Sequence, residues 1–268
     1  MTLLQVRNLT IRFGHRVVVD DVSFELEAGQ RLGIIGESGS GKTLTSLAVI
    51  GLLPDTAAAT GSILLDGQEL MGKSDREFSS IRGNRIGMVF QEPLTALNPL
   101  MRVGKQIAQP LRIHRGMRMT AAIARAAELC ARVGLPDPER VVRSYPHQLS
   151  GGQRQRIGLA IALACSPSLL IADEPTTALD VTVQQDVLKL INDLVRSEGS
   201  SLIFVSHDLP VVSSMAERVA VMRSGQVVEL AAVNELFGAA RHEYARMLVD
   251  AARRSDDDFI RVSERGRK

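Results

Sequence analysis

A loop of eight residues constrains this chain more than any other feature. Gly36-Glu37-Ser38-Gly39-Ser40-Gly41-Lys42-Thr43 fits the pattern G-x-x-x-x-G-K-[ST]. It follows a short apolar run at residues 31–35 that reads as a strand. It opens a segment with helical apolar spacing at residues 42–53, which stops at Pro54. That strand–loop–helix context is the one in which the pattern has physical meaning. Glycines let the backbone curl until successive N–H groups point inward, and the helix N-terminus adds positive potential, so the loop suits phosphate. Lys42 is placed to bridge β- and γ-phosphates, and the Thr43 hydroxyl to ligand Mg2+. The competing reading, an accidental Gly-rich turn, loses ground to the flanking elements. Nucleotide binding is therefore expected, with Gly36, Ser38, Gly39, Ser40, Gly41, Lys42 and Thr43 at the phosphates.

The remaining residues supply a sheet for such a loop. Residues 3–13 and 17–26 read as strands around a Gly14-His15 turn, residues 61–70 as two strands around Asp66-Gly67, and residues 85–90 as a further strand. From Leu169 onward strands alternate with helices. Residues 169–172 and 202–205 are strands, and Val187, Leu188, Leu190, Ile191, Leu194 and Val195 share one helix face. After another helix come strands at 218–222 and 226–230, around Ser224-Gly225. This alternation implies a mostly parallel sheet with right-handed crossovers. Residues 91–165 differ: Ala-rich, helix-periodic, with stops at Gly116 and Gly134, they read as a helical subdomain inserted in the α/β core. The expected organisation is one domain over residues 1–250, followed by a mixed-charge, frayed tail at 251–268.

Composition excludes several classes. With 45% hydrophobic and 23% charged residues, the chain is not disordered, collagen-like or a coiled coil. The balance of 32 basic and 30 acidic residues gives no electrostatic case for nucleic acid. Cys130 and Cys165 are too few for a disulfide scaffold or a four-thiolate site and read as buried thiols in a reducing compartment. The first twelve residues lack an apolar signal core. The most apolar stretch, 157–172, is too short to span a bilayer and is broken by Ser166, Pro167 and Ser168. Any membrane association is thus expected to run through a partner. The acid-free basic stretch Arg102, Lys105, Arg112, Arg115 and Arg118 reads first as a solvated helix face, the alternatives being a surface for acidic loops of a membrane partner or for lipid headgroups.

A second acidic site follows the strand at 169–172. Asp173 and Glu174 stand at its carboxyl end, where ligands of open α/β sheets bind. Asp173 there would hold Mg2+, and Glu174 would polarise an attacking water as general base. Taken alone, the pair also fits an acidic cap on the next element.

The pentapeptide Leu149-Ser150-Gly151-Gly152-Gln153 decides the subclass, since its chance occurrence is on the order of one chain in a few thousand. It resembles the signature of ATP-binding cassette (ABC) ATPases. The likeness spans residues 3–248, with motifs in family order. Residues 36–43 resemble Walker A and 169–174 Walker B, Gln91 the Q-loop, Ala178-Leu179-Asp180 the D-loop, and His207 the H-loop. The resemblance implies a P-loop NTPase core with a mostly parallel sheet, an antiparallel β region and a helical subdomain. It implies ATP and Mg2+, the ion held by Thr43, Gln91 and Asp173. It makes Glu174, His207 and Gln91 catalytic and Phe13 an adenine-stacking aromatic, although Phe13 fits the core equally well. It also implies a head-to-tail dimer, in which Ser150, Gly151, Gly152 and Gln153 reach the partner's γ-phosphate and Asp180 joins the two sites. Ser150 would in any case serve as a helix N-cap.

Finer features resemble the oligopeptide, dipeptide and nickel importer ATPases: Gln91-Glu92-Pro93, Ala96-Leu97-Asn98-Pro99, Ser144-Tyr145-Pro146-His147-Gln148, and the run from Glu174 to Thr182. This implies a peripheral subunit on the cytoplasmic face of the membrane that energises uptake of di- and oligopeptides. Its implied partners are a related second ATPase chain, two transmembrane permease subunits and an extracytoplasmic substrate-binding protein. The alternatives are an importer of nickel, a metallophore or another small solute, an exporter subunit, a regulatory ATP binder, and a non-transport ABC protein. Two cassettes in one chain or a long coiled-coil insertion, common in the last class, are not seen. Leu44 departs from the second hydroxyl residue common after the lysine, so one α-phosphate contact of the family is expected to be missing. Ala231-Ala232 and Gly238-Ala239-Ala240 also depart from the usual C-terminal pattern, whereas His242 and Tyr244 match it. The cysteine-bearing C-terminal extension of some relatives has no counterpart, so no iron–sulfur cluster is expected.

Overall fold

Alternation of buried and exposed residues shapes the N-terminal part of the protein. The computed structural model describes residues 1–91, 97–177 and 180–265. In it, β1 (Thr2–Phe13) and β2 (Arg16–Glu27) form an antiparallel hairpin about Gly14 and His15. β3 (Arg31–Ile35) leads through the glycine loop into α1 (Lys42–Val49). This helix stops short of the expected residue 53. Gly51 adopts a φ of 63°, and the Phe78 ring lies only 2.4 Å from where a Cβ on Gly51 would be. β4 (Ala57–Leu65) and β5 (Gln68–Glu69) turn at Asp66 and Gly67 and complete a four-stranded antiparallel sheet of order β2-β1-β4-β5. The short α2 (Asp75–Phe78) carries a capping box between Ser74 and Glu77.

β6 (Ile86–Val89) precedes the helical part: α3 (Val103–Arg115), α4 (Met119–Arg132), α5 (Pro138–Val141) and α6 (Gly151–Ala162). Gly116 ends α3 with a φ of 62°, the left-handed C-terminal turn that glycine accommodates at low cost. Strand and helix then alternate through β7 (Leu169–Asp173), α7 (Val181–Glu198), β8 (Ser201–Ser206), α8 (Leu209–Met215), β9 (Arg218–Arg223), β10 (Gln226–Ala232), α9 (Val233–Ala239) and α10 (Glu243–Arg265). The second sheet has the order β10-β9-β3-β8-β7-β6. It is parallel throughout except for β10, which pairs antiparallel with β9 at the edge.

The C-terminus differs from the frayed tail expected from its mixed charge: α10 continues to Arg265. Its first turns are seated on the main core by an apolar stripe of buried Tyr244, Ala245, Val249 and Ala252.

The central strands are buried on both faces, which explains their unbroken apolar runs. Successive residues divide between two cores. Leu170, Ala172, Leu202 and Phe204 face the core shared with α3, α4 and α6–α10. Leu169, Ile171, Ile203 and Val205 face the core shared with α1 and the antiparallel sheet. The parallel sheet is thus the middle layer, and its strand ends are its main solvent-facing edges. Among the described residues, no helix is long and apolar enough to cross a membrane.

Gly87 in β6 meets the end of α6 so closely that a Cβ would lie 2.3 Å from the Ala162 carbonyl oxygen. Gly87→Ala should therefore destabilise the fold by about 1–3 kcal/mol, read from urea unfolding. Both cysteines are buried and unpaired, and burial pushes the Cys130 thiol up to about 12. The native protein should leave Cys130 unlabelled by a thiol-reactive dye at pH 8, with labelling appearing only on denaturation.

Candidate nucleotide site

Parallel pairing makes β3, β8, β7 and β6 end nearly level. Ile35 lies opposite Ser206, Val205 opposite Asp173, and Ala172 opposite Val89. Each strand then delivers a polar segment to the same edge: the glycine loop after β3, His207 after β8, Glu174 after β7, and Gln91 just beyond β6.

The loop wraps tightly. A Cβ on Gly36 would lie 2.2 Å from the Met222 carbonyl oxygen and 2.6 Å from Ser40 Oγ, so only glycine fits there. Gly39 and Gly41 have φ values of 81° and 100°, left-handed backbone that a side chain would strain. Lys42 is 5% exposed, and its ammonium donates to the Gly36 carbonyl at 2.8 Å and the Glu37 carbonyl at 2.9 Å. Burial lowers its pKa, against the opposing pull of the Glu174 and Asp173 carboxylates. Ser40 Oγ is buried with no hydrogen-bond partner among the described residues.

Asp173 is 3% exposed. Burial pushes its carboxyl above the usual range and the neighbouring Glu174 adds to the rise, while a hydrogen bond from the Thr43 hydroxyl and the charge of Lys42 oppose it. Glu174 has a φ of 45°, a left-handed conformation costing a non-glycine residue about 1–2 kcal/mol. Its N–H donates to the Val205 carbonyl at 2.9 Å, so the turn is tied to the neighbouring strand. Its carboxylate accepts from the Thr177 hydroxyl at 2.9 Å, and Gln91 Nε2 and His207 Nδ1 each lie 3.4 Å from the same oxygen. These groups border a cleft of about 510 Å3, whose floor is Ser38, Gly39, Gly41, Lys42 and Thr43. Gln91, Glu174 and His207 form one wall, with Val18 and Leu44 completing the lining.

Other expected site residues stand elsewhere. Phe13 is half-buried at the end of β1 and packs against the second core; Val18, not Phe13, lines the cleft. Ser150, Gly151, Gly152 and Gln153 lie outside the cleft at the start of α6. Ser150 caps that helix reciprocally: its hydroxyl accepts from Gln153 N–H at 3.3 Å, and Gln153 Oε1 accepts from Ser150 N–H at 3.0 Å. Asp180 caps α7 through Val183 N–H at 3.0 Å. Glu92, Pro93 and Ala96, and Ala178 and Leu179 beside Asp180, lie outside the described residues. Before α6, the Tyr145 and His147 rings stack at 5.7 Å around a single turn of 3-10 helix, and Arg154 donates to the Leu149 carbonyl at 2.7 Å.

Sequence reasoning missed four participants. Thr177 holds the Glu174 carboxylate. Val18 forms part of the cleft wall. Gln155, only 2% exposed, donates from α6 to the Pro175 carbonyl at 2.6 Å and braces the turn that carries Glu174. A signal for Gln155 existed, because it shares a helix face with Leu159 and Ala162 and a polar side chain there needs a buried partner. Glu37, an unassigned position of the motif, receives Lys42 through its carbonyl. Val18 carried no signal beyond apolarity.

Comparison with known proteins identifies the family. Residues 19–177 match the family model described as ABC transporter. The oligopeptide transport ATP-binding protein OppD of Bacillus subtilis is 48% identical over 248 residues, 90% of this chain and 69% of the relative. The dipeptide transport ATP-binding protein DppD of Lactococcus lactis subsp. cremoris is 46% identical over 97% of this chain and 76% of its own length. Among solved structures, a dimeric ATP-binding cassette in a post-hydrolysis state with ADP and Pi superposes with a TM-score of 0.76 at 30% identity, covering 86% of this chain and 99% of that one. With the phosphate loop, the acidic strand end and the signature helix in one α/β framework, the chain belongs to the ABC transporter family of ATP-binding proteins.

Proposed function

We propose that this protein hydrolyses ATP to drive import of di- and oligopeptides, as one of two cassettes on the cytoplasmic face of a membrane transporter. The observation that carries the reading is the meeting of Gln91 and His207 on Glu174, each 3.4 Å from the same carboxylate oxygen, at the cleft that the lysine-bearing loop lines. The peptide cargo is inferred from the relatives, whose names describe oligopeptide and dipeptide transport. The partners of this reading are a related ATPase chain, two permease subunits and an extracytoplasmic binding protein that selects the cargo.

The cleft residues divide the work. The loop N–H groups and Lys42 take the phosphates, Lys42 exchanging its two carbonyl acceptors for phosphate oxygens. Phe13, half-buried at the end of β1 and outside the cleft lining, is the aromatic this reading assigns to the adenine. Asp173 fits a role as Mg2+ anchor: its Oδ1 is a buried carboxylate oxygen without a partner among the described residues, and Thr43 supplies a hydroxyl to the same group. With Gln91 these are hard oxygen donors of the kind Mg2+ takes. When bound, the ion neutralises charge on the β- and γ-phosphates. Glu174, aimed by its backbone turn and held by Thr177, accepts the proton of the attacking water. His207 keeps that carboxylate in place and contacts the γ-phosphate.

One chain leaves the γ-phosphate side of its cleft open. The capped start of α6 offers Ser150, Gly151, Gly152 and Gln153 to the partner's nucleotide, using N–H donors and the positive helix end. Asp180 links the two sites at the joint. Closure with ATP and reopening after hydrolysis supply two states, and Gln91 passes the motion to the permeases.

Glu174→Gln should keep ATP affinity within about twofold and lower turnover by about 10²–10⁴-fold, measured by phosphate release; full-rate hydrolysis would refute the assigned base. Gln155→Leu leaves the Pro175 carbonyl buried and unpaired. It should reduce kcat about tenfold while the Kd for ATP changes less than about twofold. Purification from solubilised membranes should recover permeases and an extracytoplasmic binding protein with this chain; recovery of ribosomes or nucleic acid in their place would overturn the transport reading.

A further inference from the structure

Tyr244 has no part in the chemistry described above, yet its hydroxyl touches the phosphate loop. It is among the largest fully buried side chains, at 1% exposure. It reaches from the first turn of α10 to the loop, where its oxygen accepts a hydrogen bond from Glu37 N–H at 3.1 Å. The carbonyl of that same Glu37 accepts from Lys42 Nζ. One residue of the loop therefore joins Tyr244 on one side to the phosphate-binding lysine on the other.

The far end of this connection is equally well built. Glu229 of β10 accepts from the backbone N–H of Arg241 at 2.9 Å and of His242 at 2.8 Å. His242 Nδ1 then accepts from Tyr244 N–H at 3.1 Å, fixing the helix entry. The Arg223 guanidinium lies over the Tyr244 ring at 5.0 Å, within cation–π range. Arg223 follows Met222, whose carbonyl backs directly onto Gly36. Burial holds the phenol above its ordinary pKa and the Glu37 carboxylate adds to the rise, so the O–H stays protonated. A phenylalanine would fill the same apolar space. A hydroxyl buried this deeply is costly unless bonded, and its bonds are to the loop.

We propose that Tyr244 is a positioning residue for the phosphate loop, through which the C-terminal helix and bound nucleotide are thermodynamically linked. The proposal rests on nucleotide binding at residues 36–43 and adds a second element that the nucleotide senses. Linkage is reciprocal: if the helix entry orders the loop for phosphate, phosphate must in turn stabilise the helix entry.

The test uses the full chain and ADP, which engages the loop without hydrolysis. Tyr244→Phe should weaken ADP binding about fivefold to tenfold by calorimetry, with a KM increase for ATP of similar size and kcat at saturation changed less than about twofold. In the parent protein, ADP should slow hydrogen exchange of backbone amides at 243–252, and the variant should lose that protection. A merely structural tyrosine would lower the Tm and leave Kd and the ADP-dependent exchange unaltered, and that result overturns the proposal. If the variant fails to fold, the exchange experiment on the parent decides: no ADP effect at 243–252 also overturns it. If the parent does not bind ADP, the nucleotide-site reading itself falls, a distinguishable outcome.

Discussion

The level carboxyl ends of four neighbouring parallel strands are the constraint on which the site depends. Pairing in register places Ile35, Ser206, Asp173 and Val89 along one edge of the sheet. Residues separated by more than a hundred positions in sequence thereby converge on one cleft. Burial of both sheet faces holds that register, because a one-residue slip would exchange Leu170 and Phe204 with Ile171 and Val205 between two differently shaped cores. The site is therefore as rigid as the middle layer that supports it.

Charge is concentrated at that edge under poor solvation. Lys42 and Asp173 are nearly buried, and burial works against the charged form of each. Each is partly compensated by the other, by Glu174 or by Thr43. Among the described residues one Asp173 carboxylate oxygen has no partner, and Lys42 is turned onto its own loop, so the edge holds polar demand that the chain does not itself meet. The strained backbone of Glu174 belongs to the same design, with its cost met by its N–H bond to the Val205 carbonyl, the bond from the Thr177 hydroxyl and the Gln155-braced turn.

The signature segment obeys a different logic. In one chain it is a well-capped helix start whose residues lie outside the cleft that Lys42 lines. Its Gly151 has nothing within 4 Å of a Cβ position, so its own fold does not require glycine there. Gln155, one turn further along α6, connects that surface with the Glu174 turn of the same chain.

Much of this was legible beforehand. The glycine loop, the acidic strand end and the alternation of strands and helices after Leu169 dictated the parallel sheet and most of the cleft, because each relies on local pattern: glycine spacing, a two-faced apolar run, a helix start. The same local reasoning placed α1 four residues too long and left the C-terminus frayed, since Gly51 turns against Phe78 and α10 is seated by contacts distant in sequence. Nor could it find Val18, Thr177 or the Tyr244 bond to Glu37, which exist only where separate elements pack. Sequence by itself determined which chemistry this protein carries, because phosphate-binding and acid–base groups announce themselves by residue type and spacing. Tertiary structure alone decided which side chains hold those groups in place, because hydrogen bonds from buried partners such as Gln155 and Tyr244 depend on distances that no spacing along the chain encodes.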